Sequence, residues 1–336
     1  MILSGVWLGL AAFSRPALSQ SITLAQDASP RQSLERDAWQ IVNQGANSIR
    51  ESSGLARSFE DPDLFWTHND SGGKPRLFLV DRGGNHVATL PVDGVRASDW
   101  EDIASYEDKT GRWLVIADCG DNNAKRSKIL FHRIQAPSLT SISAAKSSTS
   151  KTLPSVTPEM TWVVKYEDGP RDCEAIVVDA AQNRLLLISK SRFGLAGLYA
   201  VPLRGKPSGA IQGEAREFSV VAKRLMTLPI PMVTAADWDH KRQRFGIAGY
   251  FQLYLYSTAG NAEPAQAANA EAKNATPARS LETFLKALPT PIDMPRLRQI
   301  EAFCFDEAGN LVVTSEGAPM PMGLMKSPSI KGEDKP

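Results

Sequence analysis

The chain has 336 residues, 42% of them hydrophobic, which is enough to bury a substantial core. Its 38 basic residues nearly cancel its 37 acidic ones, for a net charge of +1, so no global field draws it to nucleic acid or to an anionic membrane. Three cysteines and four scattered histidines (His68, His86, His132 and His240) lack ligand spacing, which argues against a zinc centre.

From Ile2 to Phe13 the sequence is apolar over signal-peptide rather than membrane-spanning length, and Ala17-Leu18-Ser19 closes it in a small-x-small pattern. This predicts a signal peptide over 1–20 and a flexible leader over 21–38, with the mature protein periplasmic or extracellular. No basic residue precedes the apolar run, and a buried N-terminal strand or helix is the alternative reading. Nothing later in the chain is long and apolar enough to span a bilayer, so no transmembrane segment is expected in the mature chain.

A short phrase then recurs. It stands as Glu51-Ser52-Ser53-Gly54-Leu55-Ala56, Asp99-Trp100-Glu101-Asp102-Ile103-Ala104 and Asp172-Cys173-Glu174-Ala175-Ile176-Val177, faintly as Met232-Val233-Thr234-Ala235-Ala236-Asp237, and again as Gln299-Ile300-Glu301-Ala302-Phe303-Cys304. Copies at roughly 50- to 70-residue intervals mark a repeat protein. Each copy is followed by a turn and an apolar run of strand length: Leu64–Thr67, Trp113–Ala117, Arg184–Ser189, Arg244–Ala248 and Asn310–Thr314. Third strands are predicted at Arg76–Val80, Ile129–Arg133, Gly197–Val201 and Leu253–Tyr256, and fourth strands at His86–Leu90, Thr161–Tyr166, Glu217–Val221 and Glu282–Leu288.

Strand upon strand, with no amphipathic helix between repeats, is the pattern of an all-β protein, a β-propeller of four-stranded antiparallel blades around a channel. Five blades are visible, and a degenerate sixth is the alternative. A sandwich or jelly roll explains the strands but not the repeated acidic phrase. The last unit has only Gly323-Leu324-Met325 as a third strand, so an N-terminal strand, Trp39–Val42, is expected to complete it and close the ring. One domain over 39–326 results. Ala136–Thr157 and Thr258–Arg279 read as surface loops, and Ser327–Pro336 as a disordered tail.

The phrase also locates the chemistry. Aligned, it sets Ser53, Glu101, Glu174, Thr234 and Glu301 at the start of each innermost strand, with Asp99 and Asp172 two residues earlier on the same face. At the end of each second strand come Asn69, Asp118, Lys190, Gly249 and Glu316, which an antiparallel meander returns to the same mouth. So many carboxylates around one opening require raised pKa values or a counter-cation, and Ca2+ with its oxygen ligands suits them. The expected metal ligands are Asn69, Glu101, Asp118, Glu174, Glu301 and Glu316; Lys190 and Asp70 are expected to bind substrate, and Glu101 and His68 to handle protons. Architecture alone can also repeat an acid at each blade start.

The motifs Ser53-Gly54-Leu55-Ala56, Trp66-Thr67-His68-Asn69-Asp70-Ser71-Gly72, Asp99–Ala104 and Ile300-Glu301-Ala302-Phe303 resemble those of exported bacterial propellers described as phytase-like or esterase-like, and more distantly the calcium-dependent lactonase and arylesterase propellers. In the latter, Glu, Asn and Asp hold an ion that polarises an ester carbonyl. The resemblance implies Glu101, Asn69, Asp118, Glu174 and Glu301 as the analogous ligands. This chain departs from the pattern where Lys190 stands at a ligand position, suited to a substrate carboxylate or phosphate, and in blade four, which offers only Thr234 and Gly249.

Two functions remain open: a metal-dependent hydrolase of an ester, lactone or phosphate ester, and a non-catalytic propeller whose mouth takes a small-molecule ligand or an envelope component. A carboxylate-pair glycosidase is a third, decided by the separations of Glu101, Glu174 and Glu301. Adjacent blades can bring Cys119 and Cys173 to the same mouth, where an oxidising compartment permits a disulfide, with Cys304 a buried thiol; the alternative is that all three are small buried hydrophobes.

Overall fold

The computed structural model describes residues 38–42, 47–147, 154–192, 194–203, 216–257 and 281–328, all within the unit Ser33–Pro336. The expected signal peptide, nearly all of the expected leader, the expected Thr258–Arg279 loop and most of the expected C-terminal tail lie outside the described residues. No helix among the described residues is long and apolar enough to cross a membrane.

Among the described residues, twenty strands form meanders of four. The first unit holds β2 (Ser52–Arg57), β3 (Leu64–Asn69), β4 (Arg76–Asp81) and β5 (His86–Pro91), and the second β6 (Trp100–Asp108), β7 (Gly111–Asp118), β8 (Ile129–Gln135) and β9 (Met160–Tyr166). The third holds β10 (Cys173–Asp179), β11 (Arg184–Ser189), β12 (Ala196–Pro202) and β13 (Arg216–Leu228). The fourth holds β14 (Val233–Asp239), β15 (Arg244–Gly249), β16 (Gln252–Ser257) and β17 (Thr290–Asp293). The fifth is completed by the N-terminus: β1 (Trp39–Val42) pairs antiparallel with β20 (Met322–Met325), beside β19 (Leu311–Ser315) and β18 (Ile300–Phe305). The inner strands β2, β6, β10, β14 and β18 pack each against the next, and β18 packs against β2, closing the ring. This is a β-propeller of five meanders, with no sixth among the described residues.

Burial follows from this geometry. Inner strands are covered on both faces, so β10 and β18 are buried at every residue, whereas the outermost β5 and β17 alternate with solvent. Apolar cores fill the seams: Trp66, Trp100 and Ile116 between units one and two, Trp162, Ile176 and Tyr199 between two and three, and Phe303, Phe305 and Leu253 between four and five. Each large side chain so covered contributes roughly 1.5–3 kcal/mol.

Polar stitches cross the same seams. The Asp102 carboxylate accepts from the Ile176 amide of the next unit at 2.8 Å, and Asp237 does the same from Phe305 at 2.8 Å. Gly54, at φ 76°, lets β2 approach β6 so closely that a Cβ there would lie 2.6 Å from the Ile103 nitrogen.

Three features differ from the sequence reading. The stretch 136–157 contains a helix, α1 (Leu139–Ser147), anchored by the buried Ile142. The fourth strand of unit four is Thr290–Asp293 rather than Glu282–Leu288; the chain there opens with a helical turn, α2 (Leu281–Phe284), whose Leu281 enters the core together with Leu285 just after it. Finally, β13 runs past its own unit: its first half pairs in parallel with β9, Arg216 opposite Met160, so units two and three share one eight-stranded sheet.

Candidate functional site

Every inner strand carries a β-bulge at the same place in the phrase. The register slips between Ser53 and Leu55, Trp100 and Asp102, Cys173 and Ala175, Val233 and Ala235, and Ile300 and Ala302. The residues skipped are Gly54, Glu101, Glu174, Thr234 and Glu301. A bulge re-aims the extra residue, which is how three buried glutamates come to point at one mouth. Gly54, not Ser53, therefore takes the first position of this ring.

The same register decides the second ring. Opposite the residue before each bulge stand His68, Asp118, Ser189, Gly249 and Ser315, and the residues that follow are Asn69, Cys119, Lys190, Tyr250 and Glu316. Asp118 and Gly249 are thus one residue out of step with Lys190 and Glu316, and one residue turns a side chain to the other face. The blade-four member is Tyr250, which the alignment missed.

Asp118 accordingly faces away from the mouth. Its carboxylate accepts from the Ser98 and Asp99 amides at 3.1 and 3.3 Å and pairs with Arg126 at 2.7 Å. Asn69 is likewise used by the chain, its Oδ1 accepting from the Arg50 amide at 3.1 Å and its Nδ2 donating to the Ser48 carbonyl at 3.1 Å. His68 is fully buried, edge-on to Trp100 at 5.4 Å, and burial holds its imidazole down at about 4. It does not reach the opening as a base.

Carboxylates that do converge fall in two groups with one member in common. Oxygens of Asp70, Asp99 and Glu101 lie within 4.8 Å of one another, as do those of Glu101, Asp172 and Glu174. Glu101 is 4% exposed. Burial first, then the charges of Glu174 and Asp70, pushes its carboxyl up to about 11. Asp70, raised to about 7 by burial and by Asp99, and Asp99, raised by burial, respond to the same crowding. Asp172 is fixed by the Asp121 amide at 2.8 Å. The backbone leaves room for the cluster at Gly120, where a Cβ would sit 2.1 Å from Glu101 Oε1 and 2.5 Å from Asp99 Oδ2.

Around the rest of the mouth the groups are paired. Lys190 Nζ lies 3.1 Å from Glu174 Oε1 and 5.3 Å from the Tyr250 ring. Burial alone would lower its pKa, but Glu174 and Tyr250 together outweigh that and raise it. Glu301 Oε1 accepts from Tyr250 Oη at 3.1 Å and from Gln299 Nε2 at 2.6 Å, and belongs to neither carboxylate group. Glu316, raised by burial and by Glu301, stands beyond it.

Cys119 and Cys173 do meet beneath this rim, but as free thiols: Cys119 Sγ donates to the Cys173 carbonyl at 3.1 Å, and no disulfide joins them. Cys304 is buried and free.

No protein-family model and no curated protein matches the chain. Among solved structures it is similar to a gluconolactonase of Xanthomonas campestris (10% identity, TM-score 0.41), covering 86% of this chain and 90% of that one. It is also similar to a PQQ-bound aldose sugar dehydrogenase of Streptomyces coelicolor (10% identity, TM-score 0.39), covering 86% and 98%. Likenesses this distant say nothing of activity.

Proposed function

We propose that the mouth binds a hard divalent cation, calcium, and acts on an ester, lactone or phosphate ester by metal-assisted hydrolysis. The observation that carries this reading is the pair of carboxylate triads sharing Glu101. Five acidic side chains at such separations repel one another, and a cation of charge +2 relieves them. The donor set fits: all oxygen, anionic, and cradled against Gly120 where no side chain intrudes.

Asp70, Asp99 and Glu101, with Asp172 and Glu174 on the other side, would hold the ion. When bound, it supplies Lewis-acid polarisation of a carbonyl or phosphoryl oxygen. Glu101, common to both groups, would be the shared ligand. Lys190 presents a fixed positive charge beside it, suited to a carboxylate or phosphate oxygen of the substrate. Tyr250 and Gln299 keep Glu301 turned to its own side. Export to the periplasm or beyond belongs to the same proposal, supported by the apolar run Ile2–Phe13 of signal-peptide length.

The burial of His68 favours a second reading, a ligand-binding propeller without catalysis, because it leaves the mouth without an imidazole. An inverting glycosidase is disfavoured, because the Glu101 and Glu174 oxygens lie within 4.8 Å where an inverting pair stands roughly 6.5–9.5 Å apart; against a retaining pair, at roughly 5–5.5 Å, stands the engagement of Glu174 by Lys190 at 3.1 Å.

Calcium titration of the chelated protein by calorimetry, with melting curves alongside, tests the site. Binding and a raised melting temperature are expected for the wild type, and neither for Glu101→Gln. Identical wild-type melting curves with calcium and with chelator would reject the metal site. Turnover of an ester, lactone and phosphate-ester panel, lost in Glu101→Gln, separates hydrolase from binding module.

A further inference from the structure

A groove of about 680 Å³ opens directly beside the mouth. Its inner wall is shared with the site, since Tyr250 and Gln299 line it and both donate to Glu301. Its outer wall is the segment between β17 and β18, where Arg296 and Arg298 are both exposed. Neither guanidinium is ion-paired among the described residues, although most arginines elsewhere in the ring have a carboxylate partner, as Arg82, Arg126 and Arg184 do. Between the walls projects Phe251, 80% exposed at the tip of the two-residue turn from β15 to β16, with its backbone carbonyl tied to the Met294 amide at 2.9 Å.

An exposed phenylalanine alone is ordinary. One held on a tight turn, flanked by Tyr250 at 6.5 Å and faced by two unpaired arginines, makes a surface with an apolar platform and a cationic edge. The groove volume falls within the range of small-molecule pockets, roughly 300–1,000 Å³. A carboxylate or phosphate takes two N–H donors from a guanidinium in a planar fork.

We infer that this groove is the substrate subsite of the mouth, and that it selects an organic anion with an apolar body. The body lies on Phe251 and Tyr250, and the carboxylate or phosphate meets Arg296 and Arg298. The word substrate rests on the hydrolytic reading above; the anion binding does not. The arrangement also divides labour electrostatically. An acidic rim repels anions, and the arginine edge is where an anionic ligand gains a hold before a cation neutralises the rim.

The test is calorimetric binding of naphthoate, naphthyl phosphate and neutral naphthalenemethanol to the full chain, in chelator and in calcium. In chelator the anions are expected to bind, about tenfold more tightly than the neutral probe, and less tightly as salt rises. The double variant Arg296→Ala/Arg298→Ala and the single variant Phe251→Ala should each weaken them about tenfold, with the melting temperature unchanged because all three side chains are exposed. Arg296→Lys/Arg298→Lys should restore part of the affinity. The ratio of naphthoate to naphthyl phosphate affinity assigns the head group. Anion binding that ignores the arginine variants, or a neutral probe that binds equally well, would overturn the inference. Wild-type protein that takes no calcium yet binds naphthoate through the arginines rejects the metal reading and keeps the groove. Calcium binding with arginine-independent probes does the reverse.

Discussion

Lys190 reaches Glu174 at 3.1 Å on the flank of a cluster otherwise made of carboxylates. The ammonium therefore occupies part of the role a metal would fill. Lys190→Met should lower the melting temperature in chelator, since an unpaired buried charge costs roughly 3–5 kcal/mol. It should also enlarge the rise that calcium produces, because Glu174 is released to the ion. Differential scanning fluorimetry in chelator and in calcium reads both changes, and a smaller calcium response than wild type would count against this division of charge.

Gly120 is where backbone and carboxylates come closest. Gly120→Ala places a methyl 2.1 Å from Glu101 Oε1, so Glu101 must move and the two triads separate. Calcium affinity should fall at least tenfold while the strands remain folded. Far-ultraviolet circular dichroism together with calcium titration distinguishes this from general unfolding.

Buried imidazoles set an acid limit. His132, 3% exposed, has its Nδ1 2.9 Å from Thr161 Oγ1. Burial lowers it to about 4 against the opposing charge of Asp118. Its folded pKa lies below the unfolded value, so the unfolded chain binds the extra proton first. The stability is complete above pH 6.5 and is lost as pH falls toward 4, on the order of 3 kcal/mol in full. His132→Asn should flatten the difference between denaturant midpoints at pH 7 and pH 4.5; an unchanged difference would show that the imidazole takes no part.

The stitch from Asp102 to the next unit tests how the ring holds. Asp102→Ala leaves the Ile176 amide without its acceptor in a dry seam and should cost roughly 3 kcal/mol, read as a lower urea midpoint with an unaltered slope.

The ring was legible because the phrase is architectural. Its buried inner strands recur in Asp99–Ala104, Asp172–Val177 and Gln299–Cys304 with little disguise, and even the closing strand Trp39–Val42 followed from an edge that needed a partner. What escaped was register. A bulge adds one residue to the inner strand, and nothing in the letters says whether the facing residue is Asp118 or Cys119, Gly249 or Tyr250. The same ambiguity put His68 at the mouth, when it shares with Asp118 the face turned into the seam. Glu101 and Glu174 were found because they are the bulge residues themselves. The parallel pairing of β13 with β9 carried no signal: Glu217–Val221 reads as the fourth strand of its own unit, whereas in the fold that stretch pairs with β9, and Lys223–Leu228, which carries no strand signal, makes the pairing with β12.

That pairing has a mechanical consequence. Because β9 and β13 strap the outer rims of units two and three together, and a bridge from Val92 to Val156 ties unit one to the approach to β9, these three units resist splaying and the ring has three compliant joints instead of five. The strapped pair bears Asp99, Glu101, Asp172 and Glu174, so the spacing of these carboxylates is held by the stiffest sector of the molecule. Any widening needed to admit a bulky molecule must come from the opposite side, where Tyr250 and Phe251 stand.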